Sequence, residues 1–132
     1  AAGHAFVGRG GSPVGRMVRI EAESGELAWD VRFAAQKSWL VPFNTECYGV
    51  AISPGPTDSV VVTCGTGVEP EDHPHATPEE KTWRVYAAAR SAVDGGQEWE
   101  KLYTNAWRLQ NNAGEHVVAA SADHGGGLAL FI

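Results

Sequence analysis

Apolar and polar residues alternate along most of this chain with a period of two, the pattern of half-buried strands. Ala5-Phe6-Val7 is a short apolar run, closed by Gly8-Arg9-Gly10-Gly11-Ser12-Pro13-Val14-Gly15, a long loop signal. From Arg16 to Ala22 the alternation puts Val18, Ile20 and Ala22 on one face and Met17, Arg19 and Glu21 on the other. Glu23 to Glu26 reads as a turn, and Leu27, Trp29, Val31 and Phe33 resume the alternation, which predicts a hairpin.

The next pair of runs, Cys47 to Ile52 and Ser59 to Cys64, flanks the loop Ser53-Pro54-Gly55-Pro56-Thr57-Asp58. A hairpin centred on that loop pairs Ile52 with Ser59, Val50 with Val61, Tyr48 with Thr63 and Cys47 with Cys64. Both of its faces are apolar, as expected of strands covered on both sides by stacked sheets. Val68 to Glu80 is acidic and Pro-rich, and its proline spacing predicts a surface loop without regular structure. Trp83 to Ala89 and Glu98 to Thr104 read as strands around a turn at Arg90 to Gly96, with a short helix at Ala87 to Arg90 as the competing assignment. Trp107 to Gln110, Glu115 to Ser121 and Leu128 to Ile132 complete about ten short antiparallel strands, the spacing of an all-β sandwich, barrel or propeller.

Composition narrows the class. The 132 residues fit one domain, 1–132, and the 43% hydrophobic and 20% charged content is that of an ordinary globular chain. A net charge of −6 argues against a nucleic-acid coat or a binder of anionic membranes, and no apolar stretch approaches the roughly 20 residues that cross a bilayer. The acidic excess falls after residue 37, so a cationic partner would favour the later two-thirds. The chain begins Ala1-Ala2-Gly3-His4 with no initiator Met, which reads as a processed product and leans towards a secreted location.

Two segments repeat. Arg19 to Trp29 ends in Gly-x-x-x-Trp, and so does Val85 to Trp99, with the two Trp 70 residues apart. That separation exceeds a blade of roughly 40–50 residues, and the insertion at 68–80 and the longer second turn account for much of the excess. Ala22-x-Ser24-Gly25-x-x-x-Trp29 resembles the tryptophan-docking repeat of quinoprotein-like β-propellers, with Glu21 where an Asp usually stands; arylsulfotransferase-like propellers are similar. The resemblance implies a turn glycine at positive φ and a Trp packed between neighbouring sheets. It also implies about three propeller-like blades, within 1–36, 37–104 and 105–132, open or completed by another chain. A closed propeller usually needs 4–8 blades, so such an array requires a longer chain, self-association or a partner subunit. A self-contained sandwich or barrel of ten strands is the alternative fold.

Few residues point to chemistry. Cys47 and Cys64 face each other in the expected hairpin and read as two buried thiols, with a cross-strand disulfide as the alternative. Asp72, His73 and His75 have the side chains of a divalent-metal site, but no further ligand follows at a recognisable spacing, and a solvated acidic loop is the plainer reading. Gly8 to Ser12 lacks the Gly-Lys-Ser/Thr ending of a phosphate loop, and Asp123-His124 lies near no serine in a nucleophile elbow. Trp39, on a connection, with Arg9 and Arg16, are the candidate contacts for a ligand or partner. These features favour a non-catalytic binding or assembly module, completed by self-association or a protein partner. A fragment of a propeller enzyme of quinoprotein or arylsulfotransferase-like kind, with a quinone or metal cofactor, and a carbohydrate-binding lectin are the other readings.

Overall fold

The computed structural model describes residues 2–6, 13–36, 43–53, 58–68, 74–103, 119–122 and 128–131. Among them are nine strands and one short helix: β1 (Ala2–Phe6), β2 (Pro13–Ile20), β3 (Leu27–Phe33), β4 (Asn44–Ser53), β5 (Ser59–Gly67), α1 (Pro78–Lys81), β6 (Arg84–Ser91), β7 (Gln97–Tyr103), β8 (Ala119–Ala122) and β9 (Leu128–Phe131). Every pairing is antiparallel. The strands form sheets of three, four and two in chain order, β1-β2-β3, β4-β5-β6-β7 and β8-β9. The all-β class follows from the alternation, with buried positions recurring along β2, β4, β5 and β6, while the edge strand β7 is exposed throughout.

The core lies between the first two sheets. Met17 is fully buried against Cys47, Val62, Cys64, Tyr86 and Ala88, with Trp29, Val31, Phe33, Ala35 and Val60 packed around them. The Phe33 and Tyr86 rings stack with centroids 5.8 Å apart. Burying side chains the size of Met17 and Val62 contributes roughly 1.5–3 kcal/mol each.

Of the two rows that alternation gives β2, the core takes the one carrying Met17. Gly15, Met17 and Arg19 pair with Phe33, Val31 and Trp29, so these six residues share the face that meets the second sheet. Val18 and Ile20, on the other and more apolar row, are half-buried and exposed. Close approach explains the choice: a Cβ on Gly15 would lie 2.5 Å from the Phe33 ring and 3.0 Å from Cys47 Sγ. The slim side of the strand is the one the neighbouring sheet can reach.

The second hairpin departs from its expected register. Cys47 does face Cys64, and the two sulfurs are joined in a disulfide rather than held as separate buried thiols. Between Cys47 and Gly49 the register shifts, so Val50 pairs with Val62 and Val61 with Ala51, not with each other. Val61 is 3% exposed and Val50 42%. Of the expected two-sided coverage, β5 and β6 have it: Val61, Thr63, Val85, Ala87 and Ala89 are buried on the far face, and β8 lies against β4 and β5. On β4, Tyr48, Val50 and Ile52 remain exposed.

Two further expectations fail locally. Within the Pro-rich insertion Pro78 opens α1 instead of preventing structure, because its fixed φ suits the first helical turn. Thr77 caps that turn: its Oγ1 accepts from the Glu80 N–H at 3.3 Å while Glu80 Oε2 accepts from the Thr77 N–H at 2.8 Å. The alanines at 87–89 form a strand, not a helix, since β6 runs between β5 and β7 and both ladders hold it. Trp107 to Gln110 and the start of the Glu115–Ser121 run lie outside the described residues.

Candidate assembly interface and the groove beside it

The two repeated segments fold alike. In each, a bulge precedes the turn: Arg19 pairs with Trp29 and Ile20 with Leu27, as Ala89 pairs with Trp99 and Arg90 with Gln97. In the first turn Glu21 N–H donates to the Glu26 carbonyl at 2.9 Å and Gly25 N–H to the Glu21 carbonyl at 2.8 Å. The second repeats both bonds, from Ser91 N–H to the Gly96 carbonyl at 2.8 Å and from Gly95 N–H to the Ser91 carbonyl at 2.9 Å. Gly25 and Gly95 stand at φ 73° and 74°, the left-handed region that glycine enters without a Cβ penalty. A short polar side chain braces each turn: Ser24 Oγ accepts from Glu26 N–H at 3.2 Å, Asp94 Oδ1 from Gly96 N–H at 2.9 Å. The Gly96 N–H, with the Ser91 hydroxyl, holds the Asp94 carboxyl below the usual carboxylate range.

The first hairpin docks on the second turn. The Trp29 indole N–H donates to the Ala92 carbonyl at 3.1 Å, and Arg19 Nη1 donates to the same oxygen at 2.6 Å. The indole lies against Gly95, where an added Cβ would sit 3.0 Å from Trp29 Cδ2 and 3.3 Å from Val31 Cγ1. Ala92 is fixed from behind by its N–H bond to the Asp58 carbonyl at 2.9 Å. Arg90 Nη1 donates to the Gly95 carbonyl at 3.1 Å, and its guanidinium lies over the Phe33 ring, 5.2 Å from the centroid. One sheet thus reads the backbone of the other's turn.

Beside this contact the sheets splay into a groove of 560 Å³, with Val18 and Ile20 from the first sheet, Val50, Ile52 and Val60 from the second, and Trp29, Arg19 and Asp58 also lining it. Its walls are largely apolar. At the edge of β4, the Tyr48 hydroxyl donates to Glu46 Oε2 at 2.7 Å, and that carboxylate pushes its pKa up to about 12. Inside, burial raises the Tyr86 pKa further, aided by its 2.7 Å bond to Glu100 Oε2.

Of the residues singled out from sequence, Arg16 is held by Asp30 through two bonds, Nε to Oδ1 at 3.0 Å and Nη2 to Oδ2 at 2.9 Å. That fork raises the Arg16 pKa and lowers that of Asp30. His75 is exposed in the turn before α1, and among the described residues no group of three or more His, Cys, Asp or Glu is placed to hold a metal ion. Arg9, Trp39, Asp72 and His73 lie outside the described residues. Arg19, Ala92 and Gly95 were not anticipated as contacts. The Gly-x-x-x-Trp spacing marked the turn and its Trp, but a backbone carbonyl acceptor leaves no trace in side-chain pattern. Trp99, expected to be buried like Trp29, is 40% exposed. No protein-family model, no curated protein and no solved structure matches this chain.

Proposed function

We propose that the chain is a non-catalytic assembly module, built from consecutive propeller-like β-sheets and completed by self-association or a partner subunit. The observation that carries this reading is Trp29 seated on the Ala92–Gly95 turn of the next sheet. It is a sheet-to-sheet contact made by a device that the sequence contains twice, so it is suited to joining further sheets in series. The unequal sheets, of three, four and two strands among the described residues, give support, because open strand edges invite pairing. Exposed Tyr48, Val50 and Ile52 beside the groove add apolar surface that association would cover. Sedimentation velocity with light scattering tests the reading: a mass above that of one chain, rising with concentration or set by a co-purifying subunit, is expected. A folded monomer of unchanged mass at high concentration overturns it.

A second reading, a segment of a propeller enzyme of quinoprotein-like kind, draws on the same observation, a repeat whose Trp packs between sheets against a turn glycine. It requires that the chain, or the assembly it forms, bind a quinone. Absorbance titration with pyrroloquinoline quinone checks this, and no spectral change at saturating quinone would remove the reading.

A further inference from the structure

The internal contact has a donor, Trp29, and an acceptor, the turn carrying Ala92 and Gly95. The same chain holds a second donor and a second acceptor. Trp99 occupies the place of Trp29 on its hairpin, and turn 21–26 has the hydrogen bonds and the φ of turn 91–96. Both are open. Trp99 is 40% exposed, and its indole N–H has no partner among the described residues. A Cβ on Gly25 would meet nothing within 4 Å, whereas one on Gly95 would meet Trp29.

We propose that Trp99 of one copy docks on the Ala22–Gly25 turn of a second copy, joining chains head to tail. The inference rests on the assembly reading above and supplies its partner and its polarity. The two halves cannot meet within one chain. Trp99 pairs with Ala89 and shares its face, while Tyr86, Ala88 and Arg90 on the opposite face meet the first sheet. The donor therefore looks away from the sheet that carries the acceptor.

The flanking residues fit the same arrangement. Lys101 stands where Val31 stands in the docked hairpin, beside the turn. It would face Glu21, Glu23 and Glu26, whereas Val31 faces a turn with Ser91, Val93 and Gly96 at those places. At this position the inner contact is apolar, with Val31 against Gly95, and the outer one is charge-matched. Tyr103, 50% exposed, takes the place of Phe33, and Ile20, 55% exposed, takes the place of Arg90, the residue that lies over Phe33. Two exposed apolar groups would thus cover each other. Ala89 replaces Arg19, so the Ala22 carbonyl would receive the indole bond alone.

A contact of this kind is heterologous, using different patches on the two copies, so it propagates until a ring closes. Two variants dissect it. Trp99→Ala removes the donor and keeps the acceptor. Gly25→Asn fills the acceptor with a residue that tolerates positive φ and keeps the donor. The wild-type chain is expected to sediment as oligomers larger than dimers whose size grows with concentration. Each variant alone should associate roughly 30-fold or more weakly, as expected when an anchoring Trp is lost. An equimolar mixture of the two should form a dimer that does not grow, because only one donor and one acceptor survive. Lys101→Glu should weaken wild-type association, with added NaCl weakening it less in the variant than in the wild type. Should Gly25→Asn fail to fold by circular dichroism, Trp99→Ala mixed into wild type serves instead, since it can only terminate a growing chain and must shorten the oligomers. Oligomers unchanged by Trp99→Ala and by Gly25→Asn overturn the head-to-tail contact while leaving the assembly reading in place. A wild-type monomer at all concentrations overturns both.

Discussion

Gly25 and Gly95 form a matched pair that separates the cost of a backbone conformation from the cost of a docked ring. Both have φ near 73–74° in turns with the same hydrogen bonds. Replacing either by Ala imposes the left-handed penalty, roughly 1–2 kcal/mol. At Gly25 nothing else happens, since no atom lies within 4 Å of the new methyl group. At Gly95 the methyl lands 3.0 and 3.1 Å from Trp29 Cδ2 and Cε3 and 3.3 Å from Val31 Cγ1, so the indole must move by a few tenths of an ångström. Overpacking of that kind adds about 1–3 kcal/mol. The Trp29–Ala92 bond, already 3.1 Å long, lengthens with it. Gly95→Ala should therefore cost about 2–5 kcal/mol in total against about 1–2 for Gly25→Ala. With an m-value of about 2 kcal/mol/M, the gap separates the two urea midpoints by about 1 M. Equilibrium unfolding in dilute protein, followed by circular dichroism and Trp fluorescence, measures it. On a Trp29→Ala background the extra cost of Gly95→Ala should vanish, leaving only the backbone term. Coincident midpoints for the two single variants would show that Trp29 does not rest on Gly95.

Three other outcomes follow from the packing. Val61→Asp buries an unpaired carboxylate and should lower stability by several kcal/mol, whereas Ile52→Asp, at 63% exposed, should stay within about 1 kcal/mol; equal urea midpoints would contradict the register of β4 on β5. Tyr86 has a folded-state pKa above its unfolded value, so its contribution is whole below about pH 10 and is lost as the pH rises beyond it; Tyr86→Phe should flatten that alkaline decline in melting temperature, and an unchanged profile would assign the decline elsewhere. Thiol titration of the unfolded, unreduced protein should find no free thiol, and reduction should cost about 3 kcal/mol for a loop closed over 17 residues; two titratable thiols would break the Cys47–Cys64 link.

How much of this was legible in the sequence depends on what each signal encodes. Alternation encodes that a residue run is a strand, and turn chemistry encodes where it reverses, so the hairpins at 19–29 and 85–99 could be placed from Gly25, Gly95 and their trailing Trp. Alternation does not encode which face meets the neighbouring sheet. On β2 the more hydrophobic row, Val18 and Ile20, lost to Met17 because Gly15 lets the disulfide and the Phe33 ring come close. The Thr77–Glu80 capping box was readable too, and was hidden by treating every proline as a breaker when Pro78 opens α1. The docking site was half legible. The Trp and the glycine are side-chain facts, but the Ala92 carbonyl and the exposure of Trp99 belong to tertiary structure alone.

The register shift at Tyr48 makes β4 a strand of two parities. Cys47, at an odd position, and Val50 and Ile52, at even ones, all line up with partners on the same face of β5, namely Cys64, Val62 and Val60. Were Tyr48 paired regularly with Thr63 and the shift absent, Gly49 and Ala51 would follow Cys47 on that face, and the groove wall opposite Val18 and Ile20 would carry almost no side chain. The chain thus gives its groove an apolar wall by a change of phase, leaving the composition of the strand untouched. Tyr48 absorbs that change of phase as one unpaired residue: a regular ladder running through it would exchange the two faces of everything from Gly49 to Ser53, whereas removing it would leave the disulfide end, Val50 and Ile52 all facing as they do.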